Sequence, residues 1–237
     1  MADRNLDPFR AGEDGIIRCC TNRDVMVKEA IRLVPDFGII HVHALDWLLP
    51  RIRESHPYAK IVLHHHGQNL REEDPATAQR LARLADVALV STPDLQKLIP
   101  GSSWLPNPID ERLFRRTEYA GHGDLFPCDY VRTLPFVDEV KAAIPGVTVW
   151  IRWQDPMPYF EMPSFLSGFE REISWKPEVD YSATPEKVLS LTDLESLMLG
   201  KQVYYWPTKE TLEGFPERHR IENVVKQLDQ IYKGLLE

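Results

Sequence analysis

Two groups of residues in this chain have the types and spacing that could do chemistry. The first is histidine-rich: His41-x-His43-x-x-Asp46, then His64, His65, His66 and Gly67. Imidazoles at paired strand ends match the preferences of zinc or iron, and a metal-bound water would make such a site hydrolytic. The same residues also suit a sugar. An imidazole can bond a hydroxyl or a developing leaving-group charge, and a glycine lets a ligand approach the backbone. Arg71, just beyond Gly67, would steer donor phosphates or an acidic acceptor. The second group is Ser190, Leu191, Thr192 and Glu195, at the start of an amphipathic run. A helix N-terminus presents unpaired N–H groups and a partial positive charge, which suits a diphosphate. The plainer reading of Thr192 to Glu195 is a helical capping box.

The elements that must position these residues alternate in type. Strands are expected at Gly15 to Cys20, Phe37 to His43, Lys60 to His64, Asp86 to Ser91 and Ser103 to Leu105. Helices are expected between them, over Val25 to Leu33, Leu45 to Ser55, Ala76 to Ala85 and Asp94 to Leu98. Strands apolar on both faces, each followed by a helix-sized connection, specify a parallel sheet covered by helices. Ligands of such sheets bind beyond the carboxyl ends of the strands. The histidines fall at those ends; the plainer reading of His64 to His66 is a strand end with one buried histidine and two exposed ones. Pro106, Pro108, Gly121, Gly123 and Pro127 then read as a linker.

Beyond the linker, Val147 to Trp153, Glu172 to Trp175 and Gln202 to Trp206 read as strands. Phe136 to Ala143, Met162 to Phe169 and Leu191 to Leu199 read as helices. Arg220 to Leu236 is an amphipathic helix with Ile221, Val224, Val225, Leu228, Ile231 and Leu235 on one stripe. Trp150, Trp153, Trp175 and Trp206 read as core or cleft wall.

The bulk numbers narrow the function classes. A formal charge of -8 argues against a nucleic-acid partner, which needs a basic surface. Cys19, Cys20 and Cys128 fit neither a zinc spacing nor a disulfide framework, so reduced thiols and a cytoplasmic location are expected. The first fifteen residues are polar, without an apolar signal core. Membrane contact is expected only through a partner or a peripheral surface patch.

The order of several segments resembles that of GT-B glycosyltransferases of the glycogen-synthase and sucrose-synthase-like group. Phe37 to His43 (FGIIHVH) is similar to that group's D-(I/V)-(I/V)-H-x-H strand, and Ile61 to Gly67 (IVLHHHG) to its strand ending in H-G. Leu84 to Thr92 resembles the A-D-x-(V/I) strand, and Leu105 to Asp110 with Phe114 the exit to the linker. Met157 to Pro163 (MPYFEMP) resembles x-P-Y-x-E-M-P of the short-form family. Leu191 to Val203 resembles x-x-x-L-E-A-(L/M)-A-x-G-x-P-V.

The resemblance implies two Rossmann-like domains facing a cleft, over residues 1–114 and 115–218. A terminal helix, 219–237, would cross back to the first domain. It implies a retaining transferase taking a UDP- or GDP-sugar to an acceptor the sequence does not name, with no cofactor and no metal ion. Glu195 would hold the ribose, Ser190 to Thr192 the phosphates, and His66 with Gly67 the sugar side. The chain departs from the family pattern in places. Met1 to Cys20 contains no glycine-rich loop. The diphosphate-binding Arg/Lys pair has only Arg132, Lys141 and Arg152 as stand-ins. Lys187 occupies the register of the first of two paired glutamates, with Glu186 one residue out of step. A GT-B-like protein that binds sugar nucleotides or a partner without transferring sugar is therefore the alternative. A histidine-rich metallohydrolase is a weaker one, since no distant Asp/His set completes a hydrolase order.

Overall fold

A computed structural model describes residues 37–67, 70–71, 74–116, 121–128, 131–152, 154–175, 187–206 and 208–237, with 131 and 132 as backbone alone. Nearer the N-terminus it describes the backbone of 9–10 and 16–17, and Val25, Val27, Lys28, Ile31, Arg32 and Val34. Strands β1 (Phe9–Arg10) and β2 (Ile16–Ile17) pair with each other antiparallel. The strand expected over Gly15 to Cys20 thus does not join a parallel sheet in its described part. Its uninterrupted apolar stretch is only Ile16 and Ile17, too short to be covered by helices on both faces.

Strands β3 (Ile39–His43), β4 (Lys60–His65), β5 (Val87–Val90) and β6 (Ser103–Trp104) form a parallel sheet in sequential order. Ile61, Val62 and Leu63 are fully buried at consecutive positions, so β4 is covered on both sides. On one face Ile61, Leu63 and Val90 pack against Leu49 and Ile52 of α1 (Leu49–Ser55) and Ala78 and Ala82 of α2 (Pro75–Ala82). Helix α2 starts where Asp74 accepts from the Thr77 N–H and Pro75 occupies the first turn, which needs no donor there. On the other face Val62, Leu89 and Leu105 pack against Val224, with Leu228, Ile231, Tyr232 and Leu235 of the terminal helix around them.

The second sheet has the order β11-β10-β9-β7-β8. Its members are β7 (Asp124–Cys128), β8 (Thr148–Ile151), β9 (Arg171–Ser174), β10 (Gln202–Tyr205) and β11 (Glu210–Leu212). All neighbours are parallel except β10 and β11. The connections are α3 (Val137–Ala143), α4 (Met162–Ser167) and α5 (Leu191–Met198).

The linker expected as far as Pro127 is shorter than the sequence suggests, because β7 runs through Pro127 at the centre of this sheet. Proline has no N–H to give a ladder, which normally excludes it from central strands. Here the Cys128 carbonyl accepts from the Arg152 N–H, on the β8 side. Strand alternation turns Pro127 to the β9 side, and the registered β7–β9 pairing involves only Asp124 and Leu125. The missing donor falls where none is required. Strand β11, short and exposed at the sheet edge, has no apolar signal of its own.

The last helix, α6 (Ile221–Leu236), is joined to the first sheet at its start. Ile109 pairs with Arg220 as a parallel bridge, the His219 imidazole Nδ1 bonds the Asn107 carbonyl at 2.9 Å, and Gln227 donates to the Trp104 carbonyl at 2.9 Å. Val225, expected on the apolar stripe, is 56% exposed, whereas Tyr232 is packed in the contact. The rest of the stripe, Val224, Leu228, Ile231 and Leu235, packs as expected, and Tyr232 lies on the same flank as Val225 two turns further along.

Candidate functional site

In the second sheet β7 is followed by β8 on one side and its neighbour β9 by β10 on the other, so the connections from these two adjacent strands run in opposite directions. Such a reversal opens a crevice beyond the carboxyl ends of the two strands. Helix α5 begins at this point. Ser174, the last residue of β9, donates its hydroxyl to Asp193 Oδ2 at 2.9 Å. Asp193 also accepts from the Ser190 N–H at 2.5 Å, and Ser190 Oγ accepts from the Asp193 N–H at 3.0 Å. The capping box is therefore Ser190–Asp193, not Thr192–Glu195. Deeper along the helix, the Ser196 hydroxyl donates to Glu172 of β9. Leu191 is 45% exposed, Thr192 is buried, and their amides are first-turn groups without an intrahelical acceptor.

Glu195 sits one turn further in, 2% exposed. Its carboxylate is joined to the Tyr159 hydroxyl. Burial, the negative charge of Glu195 and that hydrogen bond push the Tyr159 phenol up to about 12, so it stays a protonated donor. Asp110 and Arg152 lie within electrostatic reach of the same phenol, with opposite effects. Tyr159 also meets Phe114 edge-on, ring centroids 5.5 Å apart. Met157 to Pro163 and Leu191 to Val203, separate in sequence, thus converge on one carboxylate–phenol pair. Tyr159 was not singled out from sequence; its signal lay inside the MPYFEMP segment.

Arg71 is engaged from two sides. Its guanidinium pairs with Asp94 at 2.7 Å and donates to Thr92 Oγ1 at 3.1 Å, with the side chain only 8% exposed. Gly67 precedes it with φ of 111°, and a Cβ there would meet Arg71 Nη1 at 2.9 Å. Glycine at this position is what allows the guanidinium to lie across the strand end.

Strand alternation sorts the histidines. His41, His43, His64 and His66 share the face that carries the terminal helix, while His65 points to the opposite face. His64 and His65 are both 4% exposed, so two of the three consecutive histidines are buried rather than one. The reason is that β4 extends through His65, with His64 opposite His43 and His65 opposite Val90. His43 Nδ1 lies 2.9 Å from His66 Nε2, and His41 Nδ1 lies 2.6 Å from the Tyr232 hydroxyl. Burial, followed by the neighbouring imidazoles, lowers His64 to about 2 and His41 to about 4. Burial and His43 lower the exposed His66 in the same direction. Near neutral pH the group is uncharged.

Of the stand-ins for a diphosphate-binding pair, Arg152 lies over the Trp150 ring at 5.3 Å, and Lys141 is exposed on α3. The Arg132 side chain, Trp153 and Glu186 lie outside the described residues. Lys187 pairs with Glu210 and donates to Thr208 at 3.1 Å. A cavity of about 620 Å³ opens elsewhere, between the linker at Phe114 to Arg116 and the Gly200 to Gln202 edge of the second sheet. None of the residues expected at the site lines it. No described helix is long and apolar enough to cross a membrane.

No protein-family model matches the sequence, and no curated protein matches it. Solved structures do share its fold. Sucrose-phosphate synthase from Thermosynechococcus elongatus superposes with a TM-score of 0.50 at 10% identity, covering 75% of this chain and 58% of its own. A structure of accessory secretory proteins 1, 2 and 3 of Streptococcus pneumoniae gives 0.50 at 11%, covering 90% of this chain and 57% of its own. The chain thus spans less than three fifths of either. At such identity the likeness speaks for the fold alone, and that fold is GT-B-like, with α/β architecture built on parallel sheets.

Proposed function

We propose that this protein is a glycosyltransferase that takes a sugar from a UDP- or GDP-sugar in a cleft between its two parallel sheets. The observation that carries the reading is the placement of α5. Its N-terminus is docked through Ser174 and Asp193 at the crevice where the connections of the second sheet reverse, with Glu195 buried one turn inside. That is where an open α/β sheet receives a phosphate-bearing ligand. Glu195 accepts from the ribose hydroxyls, with Tyr159 holding its carboxylate, and the first-turn amides of Leu191 and Thr192 face the diphosphate beside Ser190. His66 and Gly67 supply the sugar side from the first sheet, and α6 is the terminal helix that packs back on that sheet. Preorganised donors of this kind stabilise a departing diphosphate without reorganising.

The test is binding of UDP and GDP by thermal shift and calorimetry, since a ligand of the native state raises its melting temperature. Stabilisation by one nucleotide, lost in Glu195→Gln, supports the reading. No response to any nucleotide diphosphate would reject it. The alternative is a GT-B-like protein that binds sugar nucleotides without transferring sugar. Nucleotide binding without donor hydrolysis or transfer would choose that alternative.

A further inference from the structure

We propose that His41, His43 and His64 form a three-imidazole site for a divalent transition-metal cation of the zinc type. One ligand nitrogen from each of the three lies within 4.8 Å of the others. The rings belong to two adjacent strands in register, His43 opposite His64, so the backbone ladder itself sets their spacing. The second observation is His64. It is 4% exposed, and both its ring nitrogens are buried without a hydrogen-bond partner. A neutral imidazole carries one donor and one acceptor, and leaving both unmet in a dry site is costly. A metal ion satisfies the acceptor.

The same logic holds for the other two ligands. His41 Nδ1 is bonded to the Tyr232 hydroxyl and its Nε2 is buried without a partner. His43 Nδ1 is bonded to His66 Nε2. If each Nδ1 carries the proton and donates it outward, both Nε2 lone pairs are left for the metal. Tyr232 and His66 then orient the ligands and fix their tautomers, as outer partners of metal-bound histidines generally do. Zinc–nitrogen bonds of about 2.0–2.1 Å in a tetrahedron place nitrogens roughly 3.4 Å apart, so loading draws the rings together slightly. Three neutral nitrogens suit zinc, cobalt, nickel or copper and disfavour magnesium and calcium, which take oxygen ligands. Three protein ligands leave a fourth position for water or a ligand oxygen. His43 and His66 are exposed, so the site is reached from solvent on their side. This departs from the sequence expectation that no metal is held, and it stands independently of nucleotide binding.

The test is metal content and affinity of the full chain. Stripped protein is titrated with zinc against a chromophoric chelator, with cobalt(II) absorption reporting the coordination number. The expected result is one ion per chain, lost in both His64→Gln and His43→Gln, with cobalt spectra of a four-coordinate nitrogen-rich site. His65→Gln, on the opposite face, keeps the ion. Tyr232→Phe weakens it by about 10–100-fold, the usual cost of removing an outer partner. His64 is buried and its variant can fail to fold; His43→Gln, at an exposed position, then decides. Absence of zinc binding by the folded wild type, or binding unchanged in His43→Gln, would overturn the proposal.

Discussion

The docking of α5 through Asp193 can be broken one atom at a time. In Asp193→Ala the Ser190 N–H loses its cap acceptor, and the Ser174 hydroxyl, at a residue 3% exposed, loses the carboxylate it donates to. The bond from the residue-193 N–H to Ser190 Oγ survives, so only the reciprocal half of the capping box is lost, about 0.5–1.5 kcal/mol for one hydrogen bond. A buried hydroxyl left without its acceptor costs about 1–3 kcal/mol. Removing a buried carboxylate returns part of its desolvation cost, so the net is about 2–4 kcal/mol, or a fall in melting temperature of roughly 5–15 °C for a chain of this size. Asp193→Asn keeps one carbonyl acceptor and should lose about half as much, and Ser174→Ala about 1 kcal/mol. The assay is urea unfolding followed by tryptophan fluorescence, because Trp175 and Trp206, stacked at 5.7 Å, lie at the ends of β9 and β10 and report on this sheet. A double-mutant cycle between Ser174→Ala and Asp193→Asn should show coupling of about 1 kcal/mol, since the two groups touch. If Asp193→Ala stays within 0.5 kcal/mol of wild type, or the cycle is additive, the helix is not held at the crevice by these bonds and the argument for its role there fails.

Tyr159→Phe removes the phenol that holds Glu195 and should weaken nucleotide binding at least tenfold in calorimetry, since hydrogen bonds to charged groups contribute about 1.5–3 kcal/mol; unchanged affinity would separate Tyr159 from the site. Gly67→Ala forces a side chain into positive φ and against Arg71, so a cost of about 1–3 kcal/mol is expected in urea unfolding. Tyr205→Phe orphans the buried Val188 N–H, which the Tyr205 hydroxyl accepts at 3.0 Å, and should cost about 1–3 kcal/mol by the same measurement. For acid stability the informative group is Asp86. Burial pushes it up, but the Ile61 N–H and Arg53 outweigh that and hold it below its ordinary 3.8. A depressed carboxylate stabilises the fold above the unfolded value, and that contribution is lost as pH falls below 3.8 through the folded value. The drop in urea midpoint between pH 5 and pH 3 should therefore be smaller in Asp86→Asn than in wild type, and an equal drop would exclude Asp86 as a source.

The sequence alone determined the strands with uninterrupted apolar runs. Ile61 to Leu63 and Val87 to Val90 could be read as buried strands because a strand covered on both faces needs an apolar residue at every position. It also placed the histidines at strand ends and marked α5 by Ser190 and its apolar stripe, since these signals are local. Pro127 hid β7 because its tolerance depends on which neighbour its missing N–H faces, a property of the sheet and not of the segment. The exposed residues of β11 pair through backbone atoms that carry no side-chain signature. The contacts that give the site its chemistry were decided by tertiary structure. Tyr159 meets Glu195 across two distant segments, Ser174 fastens α5 to a strand, Asp94 occupies Arg71, and Tyr232 reaches His41 from the end of the chain. Sequence spacing could say that four histidines lie on one face of adjacent strands. Only the register of β3 against β4 put His43 opposite His64 and brought their rings into one cluster.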